Sequence, residues 1–494
     1  MHINNFFRKV VEKGMAEKMK FSFVNPSPNV ELPVCEKKKA IGSWPPLGIL
    51  YVAGVLEKEG VEVSVLEQAA KDLPIKAVVD WVKKEEPDIL GFSTLSSSGR
   101  TSAIIAEEVK KENPNVTIVF GNYHATFNAE RILKTYPWVD LIVRGEGEHT
   151  CLELVKCLKV KGNLETVHGL TYRKNNLIVS TPDRPLIKDL DILPFPDRDL
   201  LDVDYHSTVA GANVAPKKFT TILSSRGCVY RCRFCGCRKF ARSRWRPRSV
   251  KNVIEELYLL VSEGYRQFLF VDDSFATNPK RVIRLSHEIR REKMDIEWIC
   301  EMRVDHTSYD LLRAIVKAGC IMVYYGIESA NQRILDYFNK QATPKQAKTA
   351  VSTARKAGID VIVGSFIVGA PTETKAEIRN TLMFAQRLSL DVPQFNVLGA
   401  FPGTDLWDEF LMKGILDVDK YWETGAGVSE FHPDCVPLET IQQMIHEYSC
   451  NFFYRSSFIF REIMRTVKSP YRLNLIINNL NKRGEIAESL RHLV

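Results

Sequence analysis

Short apolar runs alternate with amphipathic stretches along the first third of the chain. KFSFVN (20–25) reads as a strand, and residues 49–58 carry apolar side chains at helical spacing until Gly60 ends the run. Residues 61–66, 88–93 (DILGFS), 116–121 (VTIVFG) and 141–144 (LIVR) read as further strands, separated by helical segments. This order predicts an α/β doubly wound parallel sheet with ligand sites at the carboxyl ends of its strands.

A second series of strand–helix units runs from about residue 220 to residue 404. Strands are predicted at 219–224, 268–273 (FLFVDD), 297–303, 321–329 (IMVYYGIES), 360–371 (DVIVGSFIVGAP) and 394–398, with a helix over 250–263. Repeated units of this kind predict a partial parallel α/β barrel, whose mouth is lined by polar residues at the strand ends. Tyr324, Phe366, Gln394 and Phe401 fall near that mouth as substrate contacts or as packing residues, and Tyr324 is the candidate hydrogen donor or acceptor. Beyond residue 431 the pattern turns helical. Ile441, Met444, Ile445, Tyr448, Phe452 and Phe453 recur at helical spacing, and aromatics mix with arginines and lysines. Such a stretch packs on its own domain or lies on a lipid surface. The expected organisation is an N-terminal extension (1–19), the doubly wound domain (20–160), a connecting segment (161–215) with a short hairpin around 174–176, the barrel (216–430) and a small helical C-terminal region (431–494).

The chemistry concentrates in the run SSRGCVYRCRFCGC. Cys228, Cys232 and Cys235 are spaced C-x3-C-x2-C. Three thiolates in one loop hold three corners of a cubic 4Fe–4S cluster and leave the fourth iron open to another ligand. Structural zinc is the competing reading, but its sites carry two C-x2-4-C pairs or a pair plus two histidines, and neither follows here. Ferredoxins use four thiolates at other spacings. Cys237 is too close to Cys235 to ligate the same cube without strain, and reads as a bystander or as a residue facing the site.

The run resembles the radical S-adenosylmethionine (SAM) superfamily, whose motif is C-x3-C-x-aromatic-C, with Phe234 in the aromatic position. The resemblance implies that SAM chelates the open iron through its amino and carboxylate groups. One electron from the cluster then cleaves the sulfonium to a 5′-deoxyadenosyl radical. Carried over by position, Asp272 and Asp273 meet the SAM amino group, and Arg303 and Glu328 its carboxylate and ribose. Gly364, Ile367 and Gly369 lie near the adenine, where glycine leaves no Cβ in the way. On the residues alone, Arg303 and Glu328 read equally as an ion pair and the glycines as turn residues.

The first domain carries PPLGILYVAGVLEKEGVEV, PDILGFS, GNYHAT and DLIVRGEGEHT, phrases that resemble the cobalamin-binding domain found ahead of many radical SAM barrels. The resemblance places cobalamin on Leu47, Gly48, Ser93, Thr94, Gly121, Gly145, Glu146 and Gly147. A Rossmann-like domain that has lost its ligand, or binds a nucleotide, is the alternative, although no G-x-G-x-x-G opens a helix after the first strand. The D-x-H-x-x-G motif that presents histidine to cobalt is absent. His124 and His149 read as loop or surface residues, so this motif supplies no lower axial ligand.

Composition adds three expectations. A cysteine content of 11 without a disulfide framework, and an oxygen-sensitive cluster, point to a reducing, cytoplasmic setting with peripheral membrane contact through the tail as an option. No signal peptide or membrane-spanning run is visible. The net charge of +8 is concentrated in residues 226–248 and in the tail. The arginines beside the cluster are expected to meet SAM, a cobalamin side chain or an anionic substrate group rather than nucleic acid. Together these readings describe a cobalamin-dependent radical SAM enzyme that methylates an unactivated carbon of a small-molecule or lipid substrate, fed by an electron donor such as a ferredoxin or flavodoxin. Radical ring formation or oxidation on a tetrapyrrole or lipid, and a non-catalytic cobalamin-responsive binding protein, are the alternatives.

Overall fold

The computed structural model describes residues 18–28, 44–209, 212–424 and 436–479. Residues 1–17 of the expected N-terminal extension and 480–494 of the tail lie outside the described residues. The first domain runs β1 (Lys20–Asn25), α1 (Leu47–Lys58), β2 (Glu62–Glu67), α2 (Ile75–Glu85), β3 (Ile89–Ser93), α3 (Gly99–Glu112), β4 (Thr117–Gly121), α4 (Asn122–Phe127), β5 (Leu141–Val143), α5 (Glu148–Lys159), β6 (Leu170–Lys174) and β7 (Leu177–Ser180). Its sheet has the order β2-β1-β3-β4-β5-β6-β7. Strands β1 to β5 are parallel, and β1 is flanked by β2 and β3. The chain therefore reverses direction beside β1, where a crevice opens at the strand ends. Both faces are covered, which explains the uninterrupted apolar strands: Phe21 packs with α1 and α5, and Ile118 and Phe120 with the other helix layer.

The hairpin expected in the connecting segment is instead the antiparallel edge of this sheet. Leu170 pairs with Val143, and Tyr172 with Leu141. Its turn places Asn175 and Asn176 both at positive φ, 49° and 65°. That conformation gives the turn the twist of its flanking strands. Leu47 and Gly48 open α1.

The second domain runs β8 (Phe219–Ile222), α6 (Cys237–Phe240), α7 (Val250–Ser262), β9 (Gln267–Phe270), α8 (Pro279–Arg291), β10 (Glu297–Arg303), α9 (Tyr309–Lys317), β11 (Cys320–Glu328), α10 (Pro344–Ala357), β12 (Val361–Val368), α11 (Lys375–Arg387) and β13 (Val392–Val397). The six strands pair in parallel in chain order, giving the partial barrel. Alternation sorts the side chains. Phe268, Phe270, Trp298, Cys300, Tyr325 and Phe366 pack outward under the helices, while Leu269, Ile299, Met322, Val361 and Val363 face the lumen.

The C-terminal region continues as α12 (Leu438–Tyr454), α13 (Ser456–Thr466) and α14 (Pro470–Asn479). Ile441, Met444, Ile445 and Phe452 join the core beneath α11. Tyr471 and Leu475 join the inner cluster at the amino ends of the barrel strands, and the Tyr471 hydroxyl donates to the Val214 carbonyl at 2.9 Å. The floor of the barrel is thereby closed. One carboxylate fixes this arrangement: Asp391 takes Arg355 of α10, Arg465 of α13 and Arg472 of α14. Phe460 and Ile463 of α13, and Val467 just after it, remain exposed.

Candidate functional site

The cysteine loop leaves β8 and is fixed by the two carboxylates that follow β9. Asp272 accepts from the Ser224 N–H at 2.7 Å, the Ser224 hydroxyl at 2.6 Å and the Ser225 hydroxyl at 2.5 Å. Asp273 accepts from the Gly227 N–H at 2.7 Å. Gly227 has φ +85°, and a Cβ there would collide with the Arg244 carbonyl, so only glycine turns the chain at this point. Asp272 is 2 % exposed and its carboxyl is spent on the loop. It supports the loop rather than projecting towards a SAM amino group, which is a correction to the expectation. Burial raises this carboxyl above its ordinary value despite the hydrogen bonds from Ser224 and Ser225. Asp272→Ala is expected to cost about 3 kcal/mol, because three buried donors lose their acceptor. Chemical denaturation measures the loss, and iron per chain after reconstitution reads its effect on the loop.

The three thiols are gathered as the spacing required. Cys228 and Cys235 each lie within electrostatic reach of the other two, and backbone N–H groups of Tyr230 and Cys237 support their sulfurs. Burial pushes the Cys228 thiol up and the Cys235 thiol up to about 11. Arg303 answers with positive charge: its Nη1 lies 3.7 Å from the Cys232 sulfur. The guanidinium is held by Asp305 at 2.9 and 3.1 Å, by the Lys340 carbonyl at 2.6 Å, and by the Tyr230 ring 3.6 Å beneath it. Among the described residues no three ligand-type side chains converge as a single ion requires. Thiolates on a multi-iron cluster reach different irons, and an all-thiolate set suits iron–sulfur chemistry. The residues present fit a cluster. Cys237 is buried and hydrogen-bonded to Asp273 and to Tyr123 of the first domain, within electrostatic reach of Cys228 and Cys235.

Arg303 and Glu328 do not pair with each other. Glu328, at φ 65° on a bulge of β11, binds the Lys340 ammonium at 2.6 Å. A Cβ on Gly326 would stand 2.6 Å from Glu328 Oε1, so that glycine makes room for the pair. Gly369 (φ +87°) and Ala370 donate to Glu373 Oε2 at 2.7 and 3.0 Å, and burial lifts the Glu373 carboxyl to about 7. Ile367 is half-buried and on the lumen face. Gly364 is on the other face: a Cβ there would meet Leu390 at 2.7 Å and Ile327 at 3.1 Å. The close approach that glycine permits at 364 is to the helix layer, not to an adenine. Tyr324 is the fifth residue of β11, well inside the strand rather than next to its end.

The strand ends of the first domain are turned on this mouth. Tyr123 of α4 stacks on Phe240 of α6 with ring centroids 4.2 Å apart. Glu146, after β5, accepts from Arg246 Nη1 and Nη2, each at 2.9 Å, and from Arg226 at 3.1 Å. Arg226 also binds Glu148 at 2.6 Å. Burial alone would raise the Glu146 carboxyl, but the Arg246 hydrogen bonds and the charges of Arg226 and Arg246 hold it below the ordinary carboxylate value. Glu146 is thus an interdomain clamp, its carboxylate committed to Arg226 and Arg246 rather than free for cobalamin, and a Cβ on Gly147 would stand 3.3 Å from Val52 and 3.6 Å from Val143. The basic run is spent similarly. Arg233 pairs with Glu409, Arg238 with Asp405, Lys239 with Asp408 and Arg248 with Glu256, so these side chains bind protein carboxylates rather than ligand anions.

What remains at the strand ends is an open backbone shelf. A Cβ on Gly48 or Gly145 would meet nothing within 4 Å, and one on Gly121 only the Val143 carbonyl at 3.8 Å. Thr94 braces the shelf through its hydroxyl on the Gly121 carbonyl at 2.7 Å, and Ser93 through Asn122 at 2.9 Å. A large flat cofactor fits such a shelf, which presents backbone and short side chains. His124 is not at the surface. It is buried between Gly99 and Trp422, and burial lowers its imidazole to about 4. Tyr123, Phe240, Tyr230 and Lys340 were not singled out from the sequence. Their roles depend on partners distant along the chain.

A thiolate loop at the mouth of a partial barrel is faced by the open strand ends of a doubly wound domain, so two candidate cofactor sites meet. Comparisons agree. The B12 binding domain family matches residues 38–155 and the Radical SAM superfamily residues 222–385. An uncharacterized methyltransferase of Pyrococcus horikoshii is 36% identical over 431 residues, covering 86% of this chain and 92% of its own. An anaerobic magnesium-protoporphyrin IX monomethyl ester cyclase of Rubrivivax gelatinosus is 31% identical over 392 residues, covering 77% and 69%. The radical SAM methyltransferase TsrM of Kitasatospora setae, solved with cobalamin and a 4Fe–4S cluster, shares the fold with TM-score 0.65 at 18% identity, covering 80% of this chain and 75% of that one. The chain belongs to the cobalamin-dependent radical SAM enzymes, whose cofactors are a 4Fe–4S cluster, SAM and cobalamin.

Proposed function

We propose that the protein is a C-methyltransferase acting at an unactivated carbon of a small-molecule or lipid substrate. The observation that carries this reading is the meeting of the two sites, with Tyr123 of α4, just beyond β4, stacked on the helix that begins two residues after Cys235. When bound, the cluster and SAM supply hydrogen abstraction, and cobalamin supplies a transferable methyl group. The chain's own residues set the geometry. Cys228, Cys232 and Cys235 hold the cluster, with Arg303 placing charge beside Cys232. Glu146 locks the two faces together through Arg226 and Arg246. The closed floor keeps solvent from the lumen, where a carbon radical would otherwise be quenched. Overall, one C–H becomes C–CH3. Two SAM cations and two electrons from a ferredoxin- or flavodoxin-type reductant are consumed, and methionine, 5′-deoxyadenosine and S-adenosylhomocysteine leave.

Relatives named as methyltransferases support this reading. The cyclase relatives, at 31% and 32% identity, favour a second one, ring formation with the same cofactors. SAM carrying a labelled methyl group decides between them. Label is expected in a carbon–methyl bond of the product that the gene's deletion strain lacks. Product formation with 5′-deoxyadenosine release but no label would establish the second reading.

A further inference from the structure

Strand register divides the barrel lumen into three layers. Arg303, Gly326, Ser365 and Gln394 lie side by side at the mouth. Glu301, Tyr324, Val363 and Val392 form the next layer down, and Ile299, Met322 and Val361 the one beneath it. Two residues of strand put Glu301 about 6.6 Å deeper than Arg303. It is therefore well below the residue that touches the cluster cysteines.

Glu301 is a carboxyl in a layer otherwise made of valines and a tyrosine. Among the described residues it has no hydrogen-bond or ion-pair partner. Glu301 is exposed to the lumen, and the protein around it first, then the Asp273 charge, raises its carboxyl above the ordinary value. Directly opposite, Tyr324 is half-buried, and its hydroxyl likewise has no hydrogen-bond partner among the described residues. Every other carboxylate described around this mouth is committed: Asp272 to the serines, Asp273 to Gly227, Asp305 to Arg303, Glu328 to Lys340. An uncommitted carboxyl that faces the lumen is free to accept from a ligand.

Resting on the methyltransferase reading above, we propose that Glu301 and Tyr324 anchor the substrate's polar end. They take a group with an N–H or O–H donor, an amine or an alcohol, one layer below the mouth. The carboxyl accepts the donor, and the tyrosine hydroxyl completes its hydrogen bonding. An anionic end would meet like charge at the Glu301 carboxyl, which has no cation paired with it among the described residues. The apolar floor of Ile299, Met322 and Val361 then limits how far the group descends. Glu301 is a specificity-determining residue and leaves SAM cleavage alone.

The test uses the reconstituted holoenzyme, SAM with a labelled methyl group, and an anaerobic extract of the gene's deletion strain as substrate source. Glu301→Gln, Glu301→Ala and Tyr324→Phe are compared with the unsubstituted protein. Two substrate-free readouts come first: perturbation of the reduced cluster's electron paramagnetic resonance spectrum by SAM, and uncoupled 5′-deoxyadenosine release. Both are expected to stay within about threefold in all variants. Labelled product is expected to fall about 100-fold in Glu301→Ala, since the charged hydrogen-bond partner of the substrate's polar end is lost, and the product is expected to carry an amine or hydroxyl. Label retained within threefold in Glu301→Ala overturns the inference, as does loss of SAM binding in Glu301→Gln or a product with no such donor. If the unsubstituted protein transfers no label, the methyltransferase reading fails instead, and the two failures are distinguished.

Discussion

Cys232→Ser is expected to lower 5′-deoxyadenosine formation by about a thousand-fold or more, with loss of the cluster's visible absorbance after anaerobic reconstitution. Serine presents a hard alkoxide or hydroxyl where iron–sulfur chemistry requires a soft thiolate. The effect extends beyond the missing ligand, because the Arg303 guanidinium was placed at 3.7 Å to face a sulfur anion. Cys228→Ser and Cys235→Ser are expected to behave alike. Cys237→Ser is the informative control. Its sulfur is turned towards Asp273 and Tyr123, so iron per chain is expected to stay unchanged. A proportionate iron loss in Cys237→Ser would make it a ligand.

The second large effect belongs to the interdomain clamp. Glu146→Ala leaves two arginines, Arg226 and Arg246, without the carboxylate they share. Removing one partner of a buried charged set costs about 3–5 kcal/mol. The sign of the pH dependence follows from the carboxyl being held below its ordinary value. The clamp's contribution is fully present above the unfolded carboxylate range and is lost as pH falls through the lower folded value. Denaturation curves at neutral and acidic pH are expected to show the variant's deficit shrinking on acidification. Cobalamin titration separates the clamp from a direct cofactor contact. An affinity loss above about tenfold with unchanged stability would assign Glu146 to the cofactor after all.

Much of this architecture was legible because it is written in local periodicity. Both series of strands, the cysteine triad and the glycine shelf of the first domain depend on residues close in sequence. The lumen layer was legible in principle too. In EWICEMR, Glu297, Ile299, Glu301 and Arg303 share one face by simple alternation, and a charged residue in the third of those positions inside a barrel strand is conspicuous once the barrel is assumed. The clamp was not legible. Glu146 sits in a glycine turn that also suits a cofactor loop, and its partners lie 80 and 100 residues away. Nor does a sequence distinguish Asp272 from Asp273. Only the pleat sends one into the loop's serines and the other to Gly227. Gly364 followed the same logic, its face set by a register that spacing alone leaves open.

The stopper beneath the lumen comes from residues 470–479, well downstream of the last barrel strand. A premature stop just ahead of that segment would spare every cysteine and every residue of the glycine shelf. It would nonetheless yield a vessel leaking at its base, in which solvent competes with the intended carbon. Loss-of-function alleles of this gene are therefore expected far downstream of its recognisable motifs, in a stretch that motif-based inspection would pass over as dispensable.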